Sequence, residues 1–257
     1  MSIQQSTSKP LVSIITGTYN SSKFISDCVK SIYEQEYDNI EHIIIDGNSK
    51  DSTVDIIKNM PNKVSKLISE KDDGIYDAMN KGLRLAEGDI VGILNSDDFY
   101  NSNKIIKEVV NAFEDPAINC VYGDLVYVDQ LNTKKVVRKW VTGSYSEKAF
   151  TRGWHPAHPS FFVRSSVYKK FGYFNLKFGL AADFEIMLRF LEKNKLKGKY
   201  LPLPMVRMRL GGASNKNIKN ILQGNKECIS AFKANGIKVS KFYPFYRLIP
   251  KLKQYLK

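Results

Sequence analysis

Cysteine and long apolar runs are scarce in this chain. Its 257 residues include three cysteines, Cys28, Cys120 and Cys228, which lie far apart and in no metal-ligand spacing. We interpret them as reduced packing residues of a cytoplasmic protein. No run reaches the ~18 consecutive apolar residues of a membrane-spanning helix, and the polar start MSIQQSTSKP lacks the apolar segment of a secretory signal. A disulfide-stabilised miniprotein is thereby excluded, and secretion is not expected.

Two common phosphate-binding motifs are also missing. Neither GxxxxGK[ST] nor GxGxxG follows any predicted strand, which removes support for P-loop enzymes and for NAD(P)-dependent enzymes. Acidic residues are outnumbered, 26 against 39 basic ones, and the net charge is +13. This balance suggests a polyanionic partner, namely nucleic acid, a nucleotide phosphate or an anionic membrane, and does not choose among them.

The first half of the chain alternates apolar, β-branched runs with amphipathic segments. The runs predict four strands, at residues 11–16, 40–46, 64–70 and 89–94. Helices are predicted to follow each of them, at 21–33, 51–59, 74–86 and 102–113. This order predicts an α/β fold with a mostly parallel, Rossmann-like sheet and helices on both faces.

The second half of the chain has a mixed pattern. Its predicted elements are strands at 119–129 and 134–141 that form a hairpin, a loop at 141–159, a short strand at 160–163, a helix at 182–194, an extended segment at 199–210 and a helix at 216–235. The remaining tail, 238–257, interleaves cations with aromatic residues.

Carboxylates follow three of the four predicted strands. Asp46 ends the second strand, Asp73 lies just after the third, and Asp97 and Asp98 follow the fourth. Open parallel sheets bind ligands at this edge. Carboxylates repel a polyphosphate unless Mg²⁺ or Mn²⁺ lies between them. The Asp97–Asp98 pair therefore predicts a divalent-cation site; the alternative is that it caps the next helix or is solvated.

The chain resembles the family-2 glycosyltransferases with the GT-A fold, in particular the bacterial enzymes of O-antigen, lipopolysaccharide, capsule and exopolysaccharide assembly. The resemblance rests on five segments in order, VSIITGTYNSSKFISDCVKSIYEQEYDNIEHIIIDGNSKDST, EKDDGIYDAMNKGLRLAEGDIVGILNSDD, HPSFFVRSSVYKKFGYFN, AADFEIMLRF and VRMRLGGASN. It implies a GT-A domain over residues 10–215, with a nucleotide-sugar-binding half (10–115) and an acceptor and catalytic half (116–215). A C-terminal helix and basic-aromatic tail (216–257) follow.

The resemblance also implies which residues hold the nucleotide. Thr16, Thr18 and Tyr19 would line the pocket for the base. Asp46 would hydrogen-bond the base or the ribose, and Asp73 would face the base.

The resemblance also implies which residues bind the metal and the diphosphate. Asp98 is implied as the primary ligand of Mn²⁺ or Mg²⁺, and Asp97 as a contact to the ribose or the metal. Asn95 stands where relatives often carry a further aspartate. Leu210 replaces a histidine that relatives often have there, so the contact to the pyrophosphate is expected from Arg209 or, alternatively, from Arg207.

The resemblance implies that Asp183 is the catalytic base. Ala182 replaces the glutamate of the family's Glu-Asp pair, so a secondary carboxylate contact to the acceptor is missing. The alternative is that Asp183 only caps the helix that it begins, where the helix dipole favours a carboxylate.

The three histidines and the tail leave alternatives open. His155, and with it His158, could complete the metal shell or touch the acceptor, or could pack on Trp154 or a neighbouring aromatic ring. His42, in a predicted strand, is interpreted as structural. The tail at 238–257 favours an anionic bilayer surface; a solvated terminus, an arm packed on the domain and RNA binding are its alternatives.

We therefore expect an inverting, metal-dependent hexosyl- or N-acetylhexosaminyl-transferase. Its donor would be a UDP-sugar, and its acceptor a polyprenyl-diphosphate-linked saccharide at the inner face of the membrane. Nucleic acid is not an expected partner. One rival, a nucleotidyltransferase acting on sugar phosphates, needs a glycine-rich basic signature near the amino terminus, which is absent. The other, a non-catalytic nucleic-acid-binding protein, does not need aspartates at three strand ends.

Overall fold

A computed structural model describes residues 9–211 and 218–248 of the chain. The strands and helices are, in chain order, β1 (Val12–Thr18), α1 (Ile25–Tyr33), β2 (Ile40–Asp46), α2 (Thr53–Asn59), β3 (Val64–Ser69), α3 (Ile75–Leu85), β4 (Ile90–Ile93), β5 (Phe99–Tyr100), α4 (Ile105–Ala112), β6 (Cys120–Val128), β7 (Val136–Trp140), β8 (Phe162–Arg164), α5 (Ser165–Phe171), α6 (Ala182–Leu188), β9 (Gly198–Arg209), α7 (Ile218–Ala234) and α8 (Tyr243–Tyr246).

The first half of the chain forms the parallel part of the sheet. β1 pairs in parallel with β2 and β4, and β2 pairs in parallel with β3. Thr18 lies opposite Asp46, and Asp46 lies opposite Ser69, so β1, β2 and β3 end at the same edge. Alternation of apolar runs and amphipathic helices predicted this arrangement, and the pairing confirms it.

The second half of the chain continues the same sheet. Among the described residues the strand order is β3-β2-β1-β4-β8-β6-β9-β5, with β7 paired to β6 at the side. β8 is antiparallel to β4 and β6, the predicted β6–β7 hairpin is antiparallel, and β9 is parallel to β6. The result is the expected α/β fold with a mixed, mostly parallel sheet. β5 and α5 were not predicted; the two residues of β5 are too few to show a period.

Helices cover both faces of the sheet. Adjacent residues of a strand point to opposite faces, and both faces of β1 are apolar: Ile14 belongs to a core with α1, α2 and α4, and Ile15 to a core with α3, α5, α6 and α7. Burial on both sides explains why the parallel strands read as continuous apolar runs.

The described part of the C-terminal region packs into the second core. Cys228, Phe232 and Tyr243 have no exposed surface, and the Phe232 ring lies 5.5 Å from Phe184 of α6 and 4.8 Å from Tyr243. The segment through α8 is therefore a packing arm, while residues 249–257 of the predicted tail lie outside the described residues. No helix in 9–211 or 218–248 is long and apolar enough to cross a membrane. The boundaries at 115/116 and 215/216 stay predictions.

His42, at the centre of β2, is structural. It has no exposed surface, its Nε2 lies 3.0 Å from Thr16 Oγ1, and its Nδ1 has no hydrogen-bond partner among the residues that the structure describes. Burial lowers the pKa of His42 to about 3, so the folded protein keeps this ring neutral.

We expect His42 to make the fold sensitive to acid. Below the ordinary histidine pKa of 6.5 the unfolded chain binds a proton that the folded chain does not bind, so stability falls as the pH falls. One proton costs about 1.4 kcal/mol per pH unit down to the folded pKa of about 3. Urea unfolding across this pH range should show that the free energy of unfolding falls less steeply with pH in His42→Gln than in the parent. Burial also lowers the pKa of His158, but its contribution is common to both proteins. Parallel losses would contradict a neutral His42.

Candidate functional site

Side-chain hydrogen bonds bind the loops after β1, β2 and β4 together. The Asn20 backbone N–H donates to Ser49 Oγ, and the Lys50 N–H donates to Asn20 Oδ1, both at 2.8 Å. The hydroxyls of Ser21 and Ser96 lie 2.9 Å apart. Asn20 has a φ of 48°, a left-handed conformation that asparagine tolerates. The strand ends therefore share one surface, as the fold rule predicts.

Asp46 is buried beneath this surface rather than exposed on it. It has no exposed area. Its Oδ2 accepts the Ser49 N–H at 2.9 Å and the Ser69 hydroxyl at 2.6 Å, and its Oδ1 accepts the Ser49 hydroxyl. Both oxygens hold the loop after β2 against the end of β3. In this arrangement Asp46 has a structural role and no exposed surface from which to make the expected contact to the base or the ribose.

Asp72, and not Asp73, reaches the ends of β1 and β2. A Cβ added at Gly47 would lie 2.6 Å from Asp72 Oδ2 and 3.4 Å from Tyr19 Cδ2, so a side chain at position 47 would push the Asp72 carboxylate out of its place. Asp72 is partly buried, and its Oδ1 accepts the Gly74 N–H at 2.9 Å. Asp73 is exposed and uses its backbone N–H to bind the side chain of Asp77. An aspartate often bonds to the backbone N–H two residues later in a turn. Asp72, two residues before Gly74, has this spacing in the sequence, whereas Asp73 does not.

The three residues predicted to line the base pocket have different surroundings. Tyr19 is 60% exposed beside Gly47. Thr18 is buried, and its hydroxyl has no partner within the described parts of the chain. Thr16 has no exposed surface and bonds to His42 on the inner side of β1. The arrangement leaves Tyr19 and Thr18 at the strand ends and removes Thr16 from the expected pocket.

Asp97 and Asp98 follow β4, as the sequence predicts, but they are not equally accessible. Asp98 is completely buried; its Oδ2 accepts the Asn95 amide at 3.0 Å and its Oδ1 accepts the Arg209 backbone N–H at 3.3 Å. Asp97 is partly exposed. Burial raises the pKa of both carboxyls, and the charge of Asp97 adds to the rise at Asp98. Asp97 is therefore the member of the pair that a ligand can reach.

The Arg209 side chain is buried and is held by hydrogen bonds and aromatic rings. Its guanidinium donates to the Asp97 carbonyl at 2.6 Å and to the Asp27 carboxylate. It lies 4.9 Å from the centre of the Phe24 ring and 5.0 Å from that of Phe99. Only 4% of the residue is exposed. The expected direct contact to pyrophosphate is therefore not available in this arrangement, although the positive charge lies beside the acidic pair.

The acidic pair fits a divalent cation, whereas His155 does not join it. No group of three or more His, Cys, Asp or Glu residues in the described ranges is arranged to hold a metal. Mg²⁺ needs only one or two carboxylates when phosphate and water supply its other positions. Asp97 can supply that carboxylate, because it is the partly exposed member of the pair. A cation there would also offset the negative charge of Asp97, which adds to the effect of burial in raising the pKa of Asp98. His155 packs edge-on against Trp140 and Phe184 instead.

Asp183 is the second residue of α6, and one of its oxygens faces α3. The Tyr76 hydroxyl donates to Asp183 Oδ1 at 3.1 Å. α3 begins directly after the loop that carries Asp72, so this hydrogen bond connects Asp183 to the strand-end surface. His158 lies close enough for the charge of Asp183 to act on it, but burial dominates and lowers the pKa of His158. Its ring packs edge-on against Phe174. Tyr76 was not predicted as a site residue.

Residues 13–172 match the model of the glycosyl transferase family 2. An uncharacterized glycosyltransferase of Mycobacterium tuberculosis is 34% identical over 186 residues, which are 71% of this chain and 70% of the relative. A PGL/p-HBAD biosynthesis glycosyltransferase of Mycobacterium bovis is 28% identical over 211 residues, 80% of each chain. The chain therefore belongs to glycosyl transferase family 2. This membership sets aside the nucleotidyltransferase and the non-catalytic nucleic-acid-binding protein.

Solved structures share the GT-A fold with this chain. Staphylococcus aureus TarS 1–349 in complex with UDP has a TM-score of 0.67 and 17% identity, over 96% of this chain and 72% of that one; this chain spans 44% of the longer TarS chain. The mannosyltransferase PcManGT from Pyrobaculum calidifontis, in complex with GDP-Man and Mn²⁺, has a TM-score of 0.68 and 20% identity, over 97% and 70%. At these identities the likeness shows the fold alone.

We expect Asp72 rather than Asp73 to affect nucleotide binding. Asp72→Ala should weaken UDP binding by about tenfold or more, the usual loss for a hydrogen bond to a charged group. Asp73→Ala removes the same charge one residue away and is the matched control, so it should bind UDP like the parent. Isothermal titration calorimetry with UDP measures both. Equal weakening would show that charge alone matters, and loss only in Asp73→Ala would reverse the assignment.

Proposed function

We propose that this chain transfers a sugar, with inversion, from a UDP-sugar to a lipid-linked saccharide of a bacterial surface polysaccharide. The observation that carries the proposal is the placement of carboxylates suited to two tasks, one to hold a metal ion and one to accept a proton. An acidic pair follows β4, and Asp183 faces the strand-end loops through Tyr76. The relatives' sugar-transfer activity supports the reaction class, and the TarS complex with UDP supports the choice of nucleotide.

The donor nucleotide would bind at the ends of β1 and β2. The exposed Tyr19 ring offers a stacking surface for the base, and the Asp72 carboxylate can accept the N–H of a uracil. The Thr18 hydroxyl, which has no partner among the described residues, can bond to the base or the ribose. Gly47 leaves the space that the Asp72 carboxylate occupies, since a side chain at position 47 would displace it.

The diphosphate would lie over the acidic pair. Asp97 would hold a Mn²⁺ or Mg²⁺ ion, and the ion would offset the negative charge that develops on the leaving diphosphate. Asp98 stays behind it, fixed by Asn95 and by the Arg209 backbone. Arg209 keeps a positive charge next to the pair, which favours the ionised form of both carboxyls.

Asp183 would act as the base on the acceptor side. A carboxylate placed beside the acceptor hydroxyl removes its proton as the oxygen attacks the anomeric carbon, opposite the leaving diphosphate. A single displacement of this kind inverts the configuration and needs no enzyme nucleophile. Burial keeps His158 neutral, so this ring places no positive charge beside Asp183.

A donor screen followed by one substitution tests this function. Hydrolysis of UDP-, GDP- and dTDP-sugars, with Mn²⁺ and with a chelator, identifies the donor and the metal requirement. Asp183→Asn should then lower turnover by ~10²–10⁴, the usual contribution of a general base, and leave the UDP-induced rise in melting temperature unchanged, since the donor binds elsewhere. Parental turnover in Asp183→Asn would exclude it as the base. A donor other than a UDP-sugar would refute the nucleotide assignment alone.

We also propose that α8 and its flanks touch an anionic membrane at its cytoplasmic face. Phe242 is 61% exposed and Phe245 65%, and their rings lie 6.4 Å apart. Lys238 and Lys241 are exposed beside them. Tyr243 is buried and anchors the segment to the core. Exposed aromatic rings flanked by cations suit the interface of a bilayer, where a lipid-linked acceptor would be found.

Vesicle binding tests this surface. Phe242→Ser/Phe245→Ser should reduce co-sedimentation with phosphatidylglycerol vesicles, most clearly at high salt, where screening has weakened the attraction of the lysines. Leu131→Ser is the matched control, because Leu131 is 87% exposed at the tip of the β6–β7 hairpin, and it should bind like the parent. Unchanged binding by the double variant would place the docking surface elsewhere.

A further inference from the structure

The two carboxylate oxygens of Asp183 have unequal surroundings. Oδ1 accepts two hydrogen bonds, from the Tyr76 hydroxyl at 3.1 Å and from the Phe184 backbone N–H at 2.8 Å. Oδ2 has no donor within the described parts of the chain. One oxygen is therefore occupied by the protein itself, and the other is left for a ligand.

Tyr76 is suited to be a permanent donor. Burial, followed by the charge of Asp183, raises its pKa well above the usual value, and Glu227 adds to the rise. The hydroxyl therefore keeps its proton, and its proximity to Asp183 directs that proton to Oδ1. The ring itself is held by Phe174, whose centre lies 5.5 Å away. Both the position and the protonation of Tyr76 are thus fixed.

The backbone before Asp183 is fixed from another side. Glu227 of α7 accepts the N–H groups of Leu180 and Ala181, at 2.7 Å and 3.1 Å, through its Oε2. Gln223, one turn earlier on α7, donates to Glu227 Oε1 at 3.0 Å. With the backbone before it held by α7, Asp183 can still move through its side-chain torsions, and the two hydrogen bonds to Oδ1 are what restrict them. Carboxylate torsions are broad in the absence of partners.

We propose that Tyr76 is a positioning residue that fixes the carboxylate of Asp183, so that Oδ2 is the oxygen that takes the acceptor proton. The inference rests on the proposed role of Asp183 as the base. A base must hold its lone pair in line with the hydroxyl that it deprotonates, and small misplacements lower the rate strongly. Without the Tyr76 hydrogen bond, only the Phe184 backbone N–H would hold Oδ1, and the carboxylate would turn about that single contact into orientations that are less productive.

Tyr76→Phe tests the proposal because it keeps the ring and its packing on Phe174. Turnover of the donor identified by the screen should fall about tenfold to a hundredfold, the range for a lost hydrogen bond to a charged group. UDP affinity should stay within experimental error, since Tyr76 acts on the acceptor side. Tyr145→Phe is the matched control: the Tyr145 hydroxyl also donates to a carboxylate, that of Glu192 at 3.0 Å, and not to Asp183, so its loss should leave turnover unchanged.

A double-variant cycle separates positioning from a general loss of stability. In an Asp183→Ala background, Tyr76→Phe should cause no further loss of turnover, because the group through which it acts is gone. The melting-temperature losses of the two single variants should likewise fail to add in the double variant, a comparison that needs no ligand. Additive losses in both measurements, or parental turnover in Tyr76→Phe, would overturn the proposal.

The outcomes distinguish this proposal from the base assignment. Parental turnover in Asp183→Asn refutes the base itself, whatever Tyr76 does. An inactive Asp183→Asn together with a fully active Tyr76→Phe refutes only the positioning role. An equal loss of turnover in Tyr76→Phe and Tyr145→Phe would assign the effect to stability.

Discussion

The buried guanidinium of Arg209 connects the two halves of the sheet at the edge where the loops after β1, β2 and β4 lie. It holds the backbone of Asp97, pairs with Asp27 of α1 and lies between two aromatic rings, while its own backbone N–H fixes Asp98. A buried cation requires such partners, because desolvation without them is costly. The shape of the acidic loop therefore depends on β9, which enters the sheet more than a hundred residues later in the chain.

The sequence was sufficient for those parts of the fold that local patterns determine. β1 to β4 are buried on both faces, so each is visible as an apolar run, and the helices between them show a clear amphipathic stripe. β5 was missed because its two residues form a strand only through pairing with β9. The predicted helix at 182–194 changes at Arg189 to a π-helical turn, a difference in hydrogen bonding that leaves no trace in the pattern of apolar residues.

The site was predictable as a set of residue types at strand ends, but less so as individual contacts. Asp72 and Asp73 are neighbours with the same chemistry, and the turn at Gly74, with a φ of 108°, decides which one lies over Gly47. Asp46 looked equally available, but Ser49 and Ser69 use both of its oxygens. The hydrogen bond from Tyr76 to Asp183 spans 107 positions, and no local pattern reveals such a pair.

The dependence of α6 on α7 limits how this enzyme can be recombined with its relatives. The family match ends at residue 172, before α6. The contacts that support α6 come from α7: Glu227 bonds to the backbone just before α6, and Phe232 packs on Phe184. A chimera that exchanged the segment around Asp183 alone would present α6 to a foreign α7. The natural unit of exchange runs from the end of β8 to the end of α7, which keeps α6 together with the helix that supports it.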